Sequence, residues 1–161
     1  PDNFFFGSDG SLADLVSVPA GGSRQAIEAE MITDPFDQRH KMKMNGRSLF
    51  KKIINLVADR IIPQALKKAR LTLRDINVLI LHQANLRINE PIAARVAEQL
   101  GGFQGAVYNN IERFGNTTSA ALGLCFYEVL EQAIIRPGMK ILFVAFGGGL
   151  TWGTALMRNE F

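Results

Sequence analysis

Cysteine is nearly absent: Cys125 is the single thiol in 161 residues. An internal disulfide is therefore excluded, and a cytoplasmic setting is expected. Long hydrophobic runs are missing too. The longest, Val78–Leu81 and Ile141–Phe146, are strand-sized and fall far short of the ~20 apolar residues a membrane-spanning helix needs. No basic-then-apolar leader opens the chain, so no secretory signal is visible. The first residue is Pro1 rather than Met, as in a processed, truncated or excised piece. Charge of one sign is scarce: 18 Lys and Arg against 15 Asp and Glu leave a net +3. That bias is too small to mark a nucleic-acid partner, and neither nucleic acid nor membrane is expected as one. No metal site and no bound cofactor are expected.

What remains is an ordinary globular composition, 47% hydrophobic and 20% charged, enough for one domain over residues 1–161. The basic residues cluster. Nine of them, from Lys41 to Arg70, share a stretch with a single acid, Asp59. Such a run is by default a solvated helix face; it also attracts an anionic partner.

Residues 1–40 read as irregular, with an aromatic run at Phe4–Phe6, a turn at Gly7–Ser11 and a short strand over Leu12–Val18. Residues 45–70 read as helix, because Leu49, Ile53, Leu56, Val57 and Ile61 keep three-four spacing. Pro63 implies a break or a new first turn there. Val78–Leu81 is a continuous apolar strand of the kind covered on both faces. A helix over Glu90–Leu100, with Pro91 in its first turn, ends at Gly101-Gly102. A short strand over Ala106–Tyr108 precedes a loop at Glu112–Thr117. The helix Ser119–Ile135 is so rich in small and apolar residues that it should be buried nearly all round. Strands at Met139–Ala145 and Leu150–Met157 flank a glycine turn. Alternating strands and helices argue an α/β fold with a mainly parallel or mixed sheet, its polar sites where strands end.

Three patches carry polar chemistry. His82-Gln83-Ala84-Asn85-Leu86-Arg87 follows a strand directly. A lone histidine is more often structural than catalytic, though amide and guanidinium neighbours at a strand exit raise the functional odds. Phe114–Ala121 contains Gly115-Asn116-Thr117-Thr118-Ser119, which also suits a plain helix N-terminus. Ala145–Gly153 holds Gly147-Gly148-Gly149, a tight turn that equally lets backbone N–H groups approach a ligand.

Together, the runs HQANLRI at 82–88, FGNTTSAA at 114–121 and RPGMKILFVAFGGGLTWG at 136–153 resemble the ketoacyl-acyl-carrier-protein synthase III family of the thiolase superfamily, in its C-terminal half. SDGS at 8–11 and MNGRSLFKK at 44–52 match as well. The resemblance implies a thiolase-like half-domain with a mixed, mostly parallel five-stranded sheet covered by helices on both faces. It implies a Cys-His-Asn site in which His82 and Asn116 are present and the nucleophilic cysteine lies in an N-terminal half outside this chain. It implies a backbone oxyanion donor at Gly148 and an aromatic wall at Phe146. Asn85 and Gly46 would meet the pantetheine arm of coenzyme A. Arg87, Lys51, Arg47 and Arg95 would form an acyl-carrier-protein docking rim. The implied substrates are acyl-CoA and malonyl-acyl carrier protein, joined by decarboxylative condensation, and the implied assembly is a homodimer. The alternatives are an acyltransferase to an oxygen or nitrogen nucleophile, or a non-catalytic carrier-protein-binding subunit. The chain departs from the family at Ala121, Leu122 and Gly123, where Ser and then Val-Pro are frequent. Cys125 is no substitute nucleophile: it lies within an apolar helix, which disfavours the thiolate, and it follows both His82 and Asn116 in the chain.

Overall fold

The computed structural model describes residues 3–99 and 102–160. The expected helix end at Leu100–Gly101 and the Pro1 terminus lie outside them. One five-stranded sheet organises the chain, in the order β1 (Phe4–Ser8), β7 (Thr151–Arg158), β6 (Lys140–Gly147), β4 (Val78–Leu81), β5 (Ala106–Tyr108). The pairings β4–β5 and β4–β6 are parallel, whereas β7 runs antiparallel to both β6 and β1. Four of the five strands therefore point one way, and β7 alone is reversed. A two-stranded ribbon, β2 (Val16–Ser17) with β3 (Lys43–Met44), sits apart. The helices are α1 (Ala29–Thr33), α2 (Gly46–Leu56), α3 (Ile62–Ala69), α4 (Leu86–Gln99), α5 (Ile111–Phe114) and α6 (Ala120–Glu131). No helix among the described residues is long and apolar enough to cross a membrane.

The period-two alternation of β4 divides the core. Leu79 and Leu81 pack on one side with Leu49 and Ile53 of α2, Ile62 and Leu66 of α3, and Ile88 and Ile92 of α4. Val78 and Ile80 pack on the other with Cys125 and Val129 of α6. All four residues of β4 are buried, which explains their unbroken apolar run.

Several elements differ from the sequence expectation. Of the strand expected over Leu12–Val18, only Val16–Ser17 forms, as β2 of the small ribbon rather than in the main sheet. Asp9 accepts the N–H of Ser11 and starts a 3-10 turn over Gly10–Leu15, and the fifth strand comes from the aromatic run instead. At Pro63 the helix takes the second of the two expected forms, a new first turn. The backbone widens into a π turn over Val57–Ile61, closed by the Ile62 N–H on the Val57 carbonyl, and Pro63 enters the first turn of α3, where its missing N–H costs nothing. Pro91 lies inside α4 rather than in its first turn, because the Asn85 carboxamide accepts the N–H of Arg87 and starts the helix four residues early. The expected loop at 112–117 contains the short helix α5.

Helix α6 is not buried nearly all round. Ala121, Cys125, Glu128 and Val129 face inward, whereas Tyr127 is 60% exposed and Leu130 36%. The sheet covers only one side of this helix. On the same sheet face, Phe4 and Phe6 of the edge strand stack on each other at 6.1 Å yet are 58% and 72% exposed. Large apolar side chains exposed on one sheet face have the character of an interaction surface.

Candidate active site

The parallel strand β4 ends at Leu81, and His82 follows with its backbone N–H still donated to the Val144 carbonyl of β6. The backbone is thus held in the sheet while the imidazole leaves it. The ring meets Phe146 edge-on, 5.4 Å between centroids and 84° between planes. Phe146 lies on β6 and is itself buried, so it fixes one wall of the histidine's surroundings. Burial holds the His82 pKa below the ordinary 6.5 by disfavouring the imidazolium. The neutral ring is therefore the resting form at pH 7. In the unfolded chain the proton binds first as pH falls, so the contribution to stability is complete above 6.5 and declines as pH drops through the lowered folded value.

Asn116 follows Gly115, whose φ of +67° is open to glycine at little cost. Its Oδ1 accepts the N–H of Thr118 at 2.9 Å. With the oxygen occupied by the backbone, the Nδ2 end is the donor left for the cleft. The glycine turn contributes a third group. Gly148 is exposed, and its carbonyl accepts the hydroxyl of Thr151 at 3.1 Å. This bond ties the tip of the turn back to β7.

His82, Asn85, Asn116, Phe146 and Gly148 all line one open cleft of about 620 Å³. Five of the ten residues singled out in the sequence thus come together, from three separate segments. Gly46, the first residue of α2, lies outside the lining, as do Arg47, Lys51 and Arg87, which are exposed on α2 and α4. Arg95 has partners of its own: its guanidinium donates to Asn55 at 2.7 Å and pairs with Asp59 at 2.7 Å. The sequence reading missed the apolar wall made by Met42, Met44 and Phe50, which Leu122, one of the noted departures, extends. Of the three, only Met44 and Phe50 carried a signal, lying within the MNGRSLFKK run.

Cys125 is fully buried in the α6 core and does not line the cleft. Burial pushes its thiol up to about 11, so it is protonated and inert. Among the described residues, the cleft therefore holds donors and an aromatic wall but no thiol.

Residues 66–159 match the family described as "3-Oxoacyl-[acyl-carrier-protein (ACP)] synthase III C terminal". The chain belongs to this family. It is 38% identical over 152 residues to the beta-ketoacyl-[acyl-carrier-protein] synthase III of Roseiflexus castenholzii, covering 94% of this chain and 44% of the relative. The corresponding synthase of Nitratidesulfovibrio vulgaris strain DP4 is 36% identical over 151 residues, with 94% and 43% covered. Among solved structures, the synthase III of Thermus thermophilus superposes with a TM-score of 0.76 at 33% identity, covering 99% of this chain and 46% of that one. The chain spans less than half the length of these relatives. The α/β mixed sheet flanked by helices is the architecture of this family's thiolase-like half-domain.

Proposed function

We propose that residues 1–161 form the C-terminal domain of a ketoacyl-acyl-carrier-protein synthase III in the cytoplasm, supplying the enolate-stabilising half of a decarboxylative condensation. The observation that carries this reading is the shared cleft of His82, Asn116 and Gly148. In the proposed step, a malonyl thioester loses carbon dioxide and the freed electron pair develops negative charge on the thioester oxygen. A neutral imidazole N–H from His82 and the Nδ2–H of Asn116 donate to that oxygen. Preorganised donors of this kind, aimed at developing charge, are a large source of rate enhancement. The carbanion then attacks an acyl-cysteine carbonyl. A carbon–carbon bond forms, the carbon–sulfur bond breaks, and the thiolate is released. The Gly148 N–H serves the oxyanion of that second centre.

The thiol belongs to an N-terminal half, without which this chain is inactive. The exposed apolar surface of Phe4, Phe6, Tyr127 and Leu130 supports a covering half, since patches of this kind mark interfaces. The complete protein is a homodimer in this reading, taking acyl-CoA and malonyl-acyl carrier protein. Asn85 and Gly46 meet the pantetheine arm. Arg87, Lys51 and Arg47 form the rim that attracts an acidic carrier protein, and Arg95, already paired with Asp59, adds less free charge. An acyltransferase acting on oxygen or nitrogen needs only a base at His82. It leaves the Asn116 donor without a task, which favours condensation.

The test is carbon dioxide release from malonyl thioester by the complete protein. Because the neutral imidazole is the donor, release should fall on the acid side with a midpoint below 6.5, as the ring takes up its proton. An acid limb centred well above 6.5 in a pH–rate profile would contradict this assignment. Lys51→Ala with Arg87→Ala should slow carrier-protein encounter, more at low than at high salt. Stopped-flow association at two ionic strengths reads this; equal slowing at both would remove the electrostatic rim.

A further inference from the structure

Gln83 is fully buried, stands next to His82, and does not line the cleft. Its Nε2 donates to the Leu81 carbonyl at 2.8 Å and, at 3.4 Å, to Asn109 Oδ1. Its Oε1 accepts the backbone N–H groups of Asn110 at 3.0 Å and Ile111 at 3.2 Å. Those two donors belong to the start of α5, and α5 leads within two residues to Asn116. The side chain of Asn110, which could have capped this helix, is used elsewhere: it donates to Glu128 of α6 at 2.7 Å. Glu128 in turn pairs with Arg113 of α5 at 2.6 Å. A second amide, Asn89 of α4, donates to Asn109 Oδ1 at 2.9 Å. The segment before Asn116 is thus held to the exit of β4 through Gln83 and to α6 through Glu128.

We propose that Gln83 is a positioning residue that sets the Asn116 donor relative to the His82 donor. The proposal rests on the reading of this pair as the enolate-binding site. The physical argument is that one strand exit carries both functions. His82 enters the cleft, while the adjacent side chain turns inward and takes the two N–H groups that begin the helix leading to Asn116. A buried amide with both ends satisfied fixes geometry, because losing either end leaves buried groups unpaired. A displacement of the order of 1 Å between paired donors costs about 100-fold in rate. The Gly148 turn lies at the end of β6 and is not bonded to Gln83, so a step that uses Gly148 without Asn116 is insulated from the change.

The experiment uses the complete protein and reads two half-reactions. One is malonyl thioester decarboxylation; the other is transfer of an acyl group from acyl-CoA to the enzyme. Gln83→Met keeps the side-chain length and removes both hydrogen-bonding ends. The expected result is a fall of about ten- to a hundred-fold in kcat for decarboxylation, KM within a few-fold, and acyl transfer near the parent rate. Equal loss of both half-reactions, or loss of neither, overturns the proposal. If Gln83→Met does not fold, Gln83→Glu supplies a second arm. Its neutral form offers one acceptor and one donor in the same place, whereas its carboxylate faces the Leu81 carbonyl and Asn109 Oδ1. Burial raises such a carboxyl's pKa. Decarboxylation relative to the parent should therefore rise as pH falls from about 9 to about 6, and a flat ratio overturns the proposal. If the parent's decarboxylation is itself insensitive to Asn116→Ala, the enolate reading fails, independently of Gln83.

Discussion

Asn116→Asp is expected to lower malonyl decarboxylation by the complete protein about 10²–10³-fold while leaving the fold unchanged. The substitution is chosen because it separates the two ends of the amide. The end that holds the loop is the oxygen, which accepts the Thr118 N–H. Aspartate keeps an oxygen there and preserves that bond. The other end changes from an N–H donor to a second acceptor bearing negative charge. An oxyanion developing beside it meets repulsion where it needs donation. His82→Ala removes the other donor and should cost a similar factor. The double variant should cost less than the product of the two, because residues that stabilise one oxyanion act as a unit. Carbon dioxide release measures all three. Activity retained within a few-fold in Asn116→Asp would falsify the enolate assignment.

The second large effect is on stability. Leu79→Ala should destabilise the protein by about 2–5 kcal/mol, read as a shift in the urea midpoint. Leu79 lies on an interior strand, with β5 on one side and β6 on the other. It is fully buried against the layer of α2, α3 and α4. Neighbours pinned by the parallel ladder cannot collapse into the space it leaves, so the cost includes a cavity as well as lost transfer energy. His82 is held to β6 by its own backbone bond, so the catalytic rate at temperatures below unfolding should change much less than stability does. A midpoint shift worth under about 1 kcal/mol would mean that this core is looser than its burial indicates.

The legible parts of the sequence were those governed by local pattern. The run Val78–Leu81 announced a strand covered on both faces, and the structure has that strand between those residues. Ala106–Tyr108 was equally clear. The polar patches at 82–88, 114–121 and 145–153 contained the residues that meet in the cleft. What the pattern hid depended on distant partners. Phe4–Ser8 looks like an irregular aromatic run, and it is a strand only because β7 lies alongside, from Phe4 against Ala155 to Ser8 against Thr151. The π turn at Val57–Ile61 is invisible to a search at 3.6-residue spacing, since it adds a residue without disturbing the apolar face. The open side of α6 was hidden for the opposite reason. Its composition is that of a buried helix, yet among the described residues the sheet covers only one side of it. Gln83 was quoted within a motif and given no task, because its work is done across 27 residues of chain, on the N–H of Asn110.

The juxtaposition of His82 and Gln83 also bears on errors of assembly. Strand β4 is apolar on both faces, so its hydrophobic pattern alone defends its register weakly. The two polar residues at its exit supply the missing defence. A slip by one position would bury an imidazole where two backbone N–H groups require an acceptor and a backbone carbonyl requires a donor. A slip in the opposite direction would push a carboxamide against the edge of Phe146. The pair that serves the cleft thereby acts as a proofreading mark on the sheet, penalising the misregistered strand before any substrate arrives.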